Sequence, residues 1–112
     1  MPAYLVYICQ EVVDREELER YWSLIGPTLE GTGARNVATY TPFEQLEGDP
    51  VEGVAVVEFP SADVARRWYD SEAYRAIRHH RLRGARYIGL LVEGGTRPPA
   101  ERMPATMGRR RV

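Results

Sequence analysis

VAVVEFPSADVARRWYDSEAYRAIRHHR, residues 54–81, decides the fold. Val54, Val56, Val57 and Phe59 are β-branched or aromatic, the composition of a central strand. Pro60 cannot donate to a ladder, so the strand stops there. Ser61 is placed to cap a helix in which Val64, Ala65 and Trp68 form one apolar stripe. Ser71 starts a second helix, and from it Tyr74, Ile77, Arg78 and Arg81 recur at i, i+3, i+4 and i+7 on one face, with His79 pointing the other way. An arginine on that face is the least ordinary feature of the chain. A desolvated guanidinium needs a carboxylate, a carbonyl or an anionic ligand. Glu58 or Glu93 is the expected internal partner, and a ligand carboxylate or enolate is the alternative.

Around this stretch the remaining elements fall into place. Ala3 to Gln10 is apolar on both sides, as a strand with two covered faces should be. Asp14 with Glu17 three residues on is a variant capping box, and Leu18, Tyr21, Trp22, Ile25 and Leu29 follow at helical spacing. Pro27 predicts a kink or an end near Ile25, with the last turn rebuilt before Gly31. After the Thr32-Gly33 turn, Ala34 to Thr41 reads as a second strand that continues past a bulge at Pro42 into Phe43–Glu47, with Glu47 to Pro50 as the turn of a hairpin. Tyr87 to Glu93 is the fourth strand, ended by Gly94-Gly95. The order β-α-β-β-α-β predicts an α+β, ferredoxin-like domain over residues 1–95 with a four-stranded antiparallel sheet. Its helices cover one sheet face only. The other face is apolar too, and a homodimer pairing two sheets is the simplest cover.

A chain of 112 residues with 44% hydrophobic residues suits one domain with one core. No run approaches the length of a membrane span, and MPAYLVYICQ lacks the features of a secretion signal, so a cytoplasmic location and no membrane partner are expected. Cys9 is the single cysteine and sits in a strand-like run, which excludes an intrachain disulfide. Residues 1–95 hold ten Arg against fifteen acids, a balance of −5, whereas residues 96–112 hold five Arg against Glu101, a balance of +4. An acidic body argues against nucleic-acid binding. The tail, TRPPAERMPATMGRRRV, is a Pro/Arg-rich extension that its charge and its Met103 and Met107 would dock across the body or a partner subunit.

The run EFPSADVARRWYDSEAYRAIRHHR, together with Tyr21, the glycine turn before Arg35, and Glu47-Gly48 ahead of the third strand, resembles the domain-of-unknown-function family 1330. That family lies in the dimeric α/β-barrel superfamily, beside antibiotic-biosynthesis monooxygenases, EthD-like proteins and haem-degrading monooxygenases. The resemblance spans residues 3–94. It implies the fold, a dimer, and a place for small organic molecules between sheet and helices. Tyr21, Glu58, Trp68, Tyr74 and Arg81 are the aligned positions. His79-His80 departs from the aliphatic residue or proline usual there.

The residues suggest a site around Arg81. Arg81, His80 and Tyr74 are the candidate catalytic groups: Arg81 to stabilise an oxyanion, His80 or a tyrosine to move protons. Tyr21, Trp22, Trp68, Tyr69 and Glu58 are the candidate substrate-binding residues, since aromatic walls suit a flat, polyphenol-like ligand. The same aromatics also make an ordinary core. Adjacent histidines on a helix diverge by about 100° and cannot easily share a metal, so no metal is expected. No nucleotide loop, CxxC pair or nucleophile elbow is present, and no cofactor is expected. The expectation is a small homodimeric enzyme without a cofactor, a cyclase, isomerase or oxygenase acting by acid/base chemistry on an aromatic or polyketide-like molecule. The alternative is a non-catalytic ligand-binding or structural dimer. A cavity of about 300 Å³ or more reaching Arg81 would favour the enzyme.

Overall fold

The computed structural model describes residues 1–103. Its elements follow the order β1 (Ala3–Val12), α1 (Arg15–Leu29), β2 (Arg35–Thr39), β3 (Gly53–Phe59), α2 (Ala62–Tyr69), α3 (Glu72–Gly84) and β4 (Ala85–Glu93), with a 3₁₀ turn at Pro99–Glu101. All strand pairs are antiparallel and the sheet order is β2-β3-β1-β4. Each helix begins where a side chain can accept orphan amides: Asp14 for α1, Ser61 for α2 and Ser71 for α3.

Strand alternation sorts the side chains. Leu5, Tyr7 and Cys9 on β1 and Ala55, Val57 and Phe59 on β3 point at the helices and are buried. The other face carries cross-strand rows Val54–Ile8–Ile88, Val56–Val6–Leu90 and Glu58–Tyr4–Val92. Ile88, Leu90 and Val92 remain exposed in the single chain. Two rows of aliphatic side chains, with Val92 at the end of the third, form the kind of patch a soluble protein covers.

Of two local expectations, one is met in part and the other is corrected. α1 does not end near Ile25; it continues through Pro27 and closes its last turn before Gly31, at Leu29. So close to the C-terminus the proline forfeits only the bond to the Ser23 carbonyl, and the last turn is completed by Thr28 Oγ1 donating to the Ile25 carbonyl and Thr32 Oγ1 to the Leu29 carbonyl, both at 2.6 Å. β2 likewise stops at Thr39, and residues 41–50 do not resume a strand. Tyr40 adopts a left-handed φ of 52° that turns the chain away. The following loop is held by Gln45, whose Nε2 donates to the carbonyls of Glu47, Gly48 and Asp49 while its Oε1 accepts from Val51 N–H.

Residues 96–103 are exposed and their hydrogen bonds run among themselves, as from Arg97 to the Glu101 carbonyl and from Arg102 to the Arg97 carbonyl. Met107 and the Arg109–Arg111 run, on which the expected docking of the tail depends, lie outside the described residues. Among the described residues, no helix is long and apolar enough to cross a membrane.

Candidate functional site

α3 places Tyr74 and Arg81 on its inward stripe, and α1 brings Tyr21 against them. The Tyr74 hydroxyl lies 2.8 Å from that of Tyr7 and 2.8 Å from that of Tyr21, and Arg81 Nε donates to it at 3.3 Å. Arg81 is 4% exposed. Its guanidinium carbon sits 4.3 Å from the Tyr7 ring centre, 5.2 Å from that of Tyr87 and 6.0 Å from that of Tyr21. The expected ion pair does not form. Glu58 alternates onto the helix-free face and pairs with Arg35 at 3.3 Å, and Glu93 is exposed at the end of β4. Three π faces and one hydroxyl do the carboxylate's work.

The cluster is electrostatically self-consistent. Burial pushes the Tyr7 and Tyr21 phenols well above the usual tyrosine range, with the Tyr74 oxygen adding to it and Arg81 opposing. For Arg81 burial opposes the charge, but the oxygens of Tyr7 and Tyr74 outweigh it and hold the group protonated. These phenols therefore donate hydrogen bonds and do not act as bases near neutral pH.

A cleft of about 180 Å³ opens beside this cluster, between α1 and the sheet. Its floor is low at Gly53 and Cys9, which pair across β3 and β1 in the row that ends at Tyr87 on β4. The left-handed Tyr40 lays its ring over Gly53, where an added Cβ would come within 2.9 Å of it, and its hydroxyl meets that of Tyr87 at 2.6 Å. Trp22 covers the cleft from α1 with its ring 5.3 Å from that of Tyr40, and Arg15 stacks on Trp22 at the rim, 5.4 Å away. Glu52 also lines the cleft and accepts from Val12 N–H.

Polar groups here are unevenly satisfied. Burial raises the Tyr87 phenol, and its bond to Tyr40 raises it further. Burial also raises Tyr40, but the approach of Tyr87 and of the Trp22 indole favours its ionised form. Either hydroxyl of the pair can be the donor, and the Cys9 thiol also meets Tyr87. Trp22 Nε1 is buried yet makes no hydrogen bond of normal geometry.

A larger hollow of about 370 Å³ lies where α1 ends beside α2 and the start of α3. Two of its polar groups are engaged with Trp68: Thr28 Oγ1 accepts from Trp68 Nε1 at 3.1 Å, and Ser71 Oγ donates to the Trp68 carbonyl at 2.7 Å. Neither hollow is lined by Arg81, Tyr74 or His80.

Of the predicted site residues, the structure gathers Tyr21, Trp68, Tyr69, Tyr74 and Arg81 into one packed cluster, with Trp68 and Tyr69 against Tyr74 at 4.0 and 5.5 Å and Trp68 also bordering the larger hollow. Trp22 alone borders the cleft. His80 lies on the α1–α3 surface, its Nδ1 2.6 Å from Glu17 and its ring stacked on His79. Glu58 is on the wrong face to join them. The reading of the sequence missed Tyr7, Tyr40 and Tyr87, and two of these rings lie over glycines inside strands. A Cβ at Gly89 would come within 2.9 Å of the Tyr7 ring, as one at Gly53 would with Tyr40. Among the described residues no group of three His, Cys, Asp or Glu side chains is arranged to hold a metal ion.

Fold and interior together define a ferredoxin-like α+β protein with a tyrosine-rich space between helices and sheet. Residues 2–95 match the model of the family described as domain of unknown function (DUF1330), and the chain belongs to it. No curated protein matches the sequence. Among solved structures, a protein of unknown function, RPA0582 from Rhodopseudomonas palustris, is similar with a TM-score of 0.67 at 17% identity, over 86% of this chain and 84% of that one. SnoaB, a cofactor-independent oxygenase from Streptomyces nogalater, is similar with a TM-score of 0.60 at 12% identity, over 88% and 97%. A dimeric protein of unknown function and ferredoxin-like fold from Bacteroides fragilis has a TM-score of 0.51 at 9% identity, over 83% and 96%.

Proposed function

We propose that the protein is a small homodimeric enzyme without a resident cofactor, acting by acid/base chemistry on an aromatic or polyketide-like molecule held between α1 and the sheet. One observation carries the reading: the cleft combines aromatic walls, the Tyr40–Tyr87 hydroxyl pair and the Glu52 carboxylate around one space. A carboxylate that takes a proton opposite a phenol that gives one is the minimum for enolisation or cyclisation. Arg81 and Tyr74 act from behind, positioning Tyr87 through the cation–π contact. The likeness to SnoaB supports the class of chemistry, the dimeric neighbour supports a dimer, and the aliphatic sheet face offers the surface for it.

A non-catalytic ligand-binding dimer is the second reading, favoured by the absence of Arg81 from the lining of either hollow. Turnover separates the two. Phenols and polyketide-like ketones that bind are assayed with the parent and with Glu52→Gln, which should lower the rate about 100-fold or more while sparing binding. Binding with no turnover of any such compound leaves the second reading standing.

A further inference from the structure

Charge is segregated along the folded body. From Asn36 to Ala65 the chain has six acidic residues and no base, whereas from Arg66 to Arg86 it has seven Arg against Asp70 and Glu72, a balance of +5. The acidic stretch centres on the loop between β2 and β3. Gln45 fixes the shape of that loop with four hydrogen bonds to its backbone, and so holds Glu44, Glu47 and Asp49 in water together with Phe43 and with Leu46, which is 82% exposed. None of the three acids forms an ion pair among the described residues. The basic stretch centres on α3. Arg75, Arg78, His79 and Leu82 recur there at i, i+3, i+4 and i+7, one stripe beside the buried Tyr74–Arg81 face, and Leu82 is 61% exposed. Among the described residues Arg75 makes no ion pair and Arg78 lies over the Tyr69 ring at 4.9 Å, while Arg83, next to the stripe, acts on Glu17.

We infer that the β2–β3 loop of one copy of this chain docks on the outward stripe of α3 of a second copy, Leu46 against Leu82 and the loop carboxylates against Arg75 and Arg78. Each surface sets an exposed leucine among charges of one sign, and the two signs are opposite. Opposite fields draw the surfaces together and fix which residues meet, and the leucines supply the apolar contact. Other occupants of the stripe fit less well. A nucleic acid would bring phosphates to a body whose balance is −5. A lipid surface would gain little from α3, because the apolar side of that helix is already packed inward and Leu82 alone is left to enter it. Loop and helix are different surfaces, so each copy gives one and receives one, and the contact is head-to-tail and separate from the pairing of sheet faces. It is independent of what the cleft binds.

Leu46→Cys and Leu82→Cys test the pairing in the full chain, since both positions are exposed and Cys9, the single native cysteine, is buried and stays out of thiol exchange. The two variants, one of them labelled with nitrogen-15 so that mixed and like pairs differ in mass, are combined at equal concentration in low salt and oxidised mildly. Mixed 46–82 pairs should exceed their statistical share, and the excess should vanish at about 1 M salt, where charges are screened within about 3 Å. Adding Arg75→Glu and Arg78→Glu to the Leu82→Cys chain should cut mixed linking about tenfold or more, because like charges then face each other. Adding Glu44→Arg and Glu47→Arg to the Leu46→Cys chain should restore it, which a mere folding defect in the α3 variant would not allow. A statistical mixture at low salt, an excess of like pairs, or a loss that the reversed loop does not rescue overturns the inference. Chains that stay unlinked overturn it too, and would leave both surfaces to molecules of another kind.

Discussion

Tyr40 and Tyr87 touch hydroxyl to hydroxyl across two intervening strands, one following β2 at one edge of the sheet and the other on β4 at the opposite edge. The contact exists because Gly53 and Cys9 occupy the row between them. Replacing Gly53 by Ala puts a methyl into the Tyr40 ring, and the pair should separate. The expected outcome is a larger cleft, read as faster Cys9 alkylation, with unfolding free energy lowered by about 1–3 kcal/mol for the overpacking. Unchanged alkylation and stability would mean the ring is free to move aside.

Arg81 is a buried cation held by tyrosine rings and one hydroxyl, without a carboxylate. Exchanging it for a residue of similar length and no charge removes the desolvation cost along with the π contacts. Arg81→Met should unfold in urea within about 1 kcal/mol of the parent, whereas Arg81→Ala, which leaves a void, should lose about 2–4 kcal/mol. A severe loss in Arg81→Met would show that the charge itself holds the cluster.

Trp68 is buried, stacks on Phe59 and Tyr74, and donates to Thr28. Trp68→Ala should cost about 3–5 kcal/mol, more than any substitution on a helix surface. A cost near 1 kcal/mol, read from urea unfolding, would place Trp68 beside a void that tolerates truncation.

The aliphatic sheet face predicts a homodimer that a charge disrupts. Leu90, in the row with Val56 and Val6, is 47% exposed in the single chain, so Leu90→Asp should be tolerated by the fold and not by the pairing. Sedimentation at micromolar concentration should give a dimer for the parent and a monomer for the variant. A monomeric parent defeats the idea.

Glu17 is held below its ordinary carboxyl range, first by the hydrogen bond from His80 and then, against desolvation, by the charges of His80 and Arg20. A carboxyl whose folded value is depressed stabilises the fold above its unfolded value, near 4.3, and loses that contribution as pH falls through the lower folded value. The difference in urea midpoint between parent and Glu17→Gln should therefore be present at neutral pH and shrink as pH falls below about 4.3. A difference that persists into acid would mean the pair acts through shape and not charge.

Much of the fold was legible because it depends on periodicity and punctuation. Ser61, Ser71 and Asp14 start helices where their oxygens can accept orphan amides, and the inward placing of Tyr74, Ile77 and Arg81 followed from spacing alone. The candidate site was less legible, because it depends on register. Which strand residues face the helices, and which meet across the sheet, follows from pairings between segments far apart in sequence. With β1 and β3 apolar on both faces, nothing local separated Tyr7 from Tyr4, or marked Glu58 as facing away from Arg81. Tyr40 was hidden by its left-handed backbone, which no local pattern announced.

The Tyr40–Tyr87 contact has a mechanical consequence. Three strand spacings of about 4.8 Å separate the two edges of the sheet by roughly 14 Å, and the two phenols span that width like a tie across an arch. Twisting of β2 against β4 must stretch or shear this tie. Whatever parts the two hydroxyls releases it, so the width of the cleft and the curvature of the sheet are joined through a single oxygen–oxygen contact.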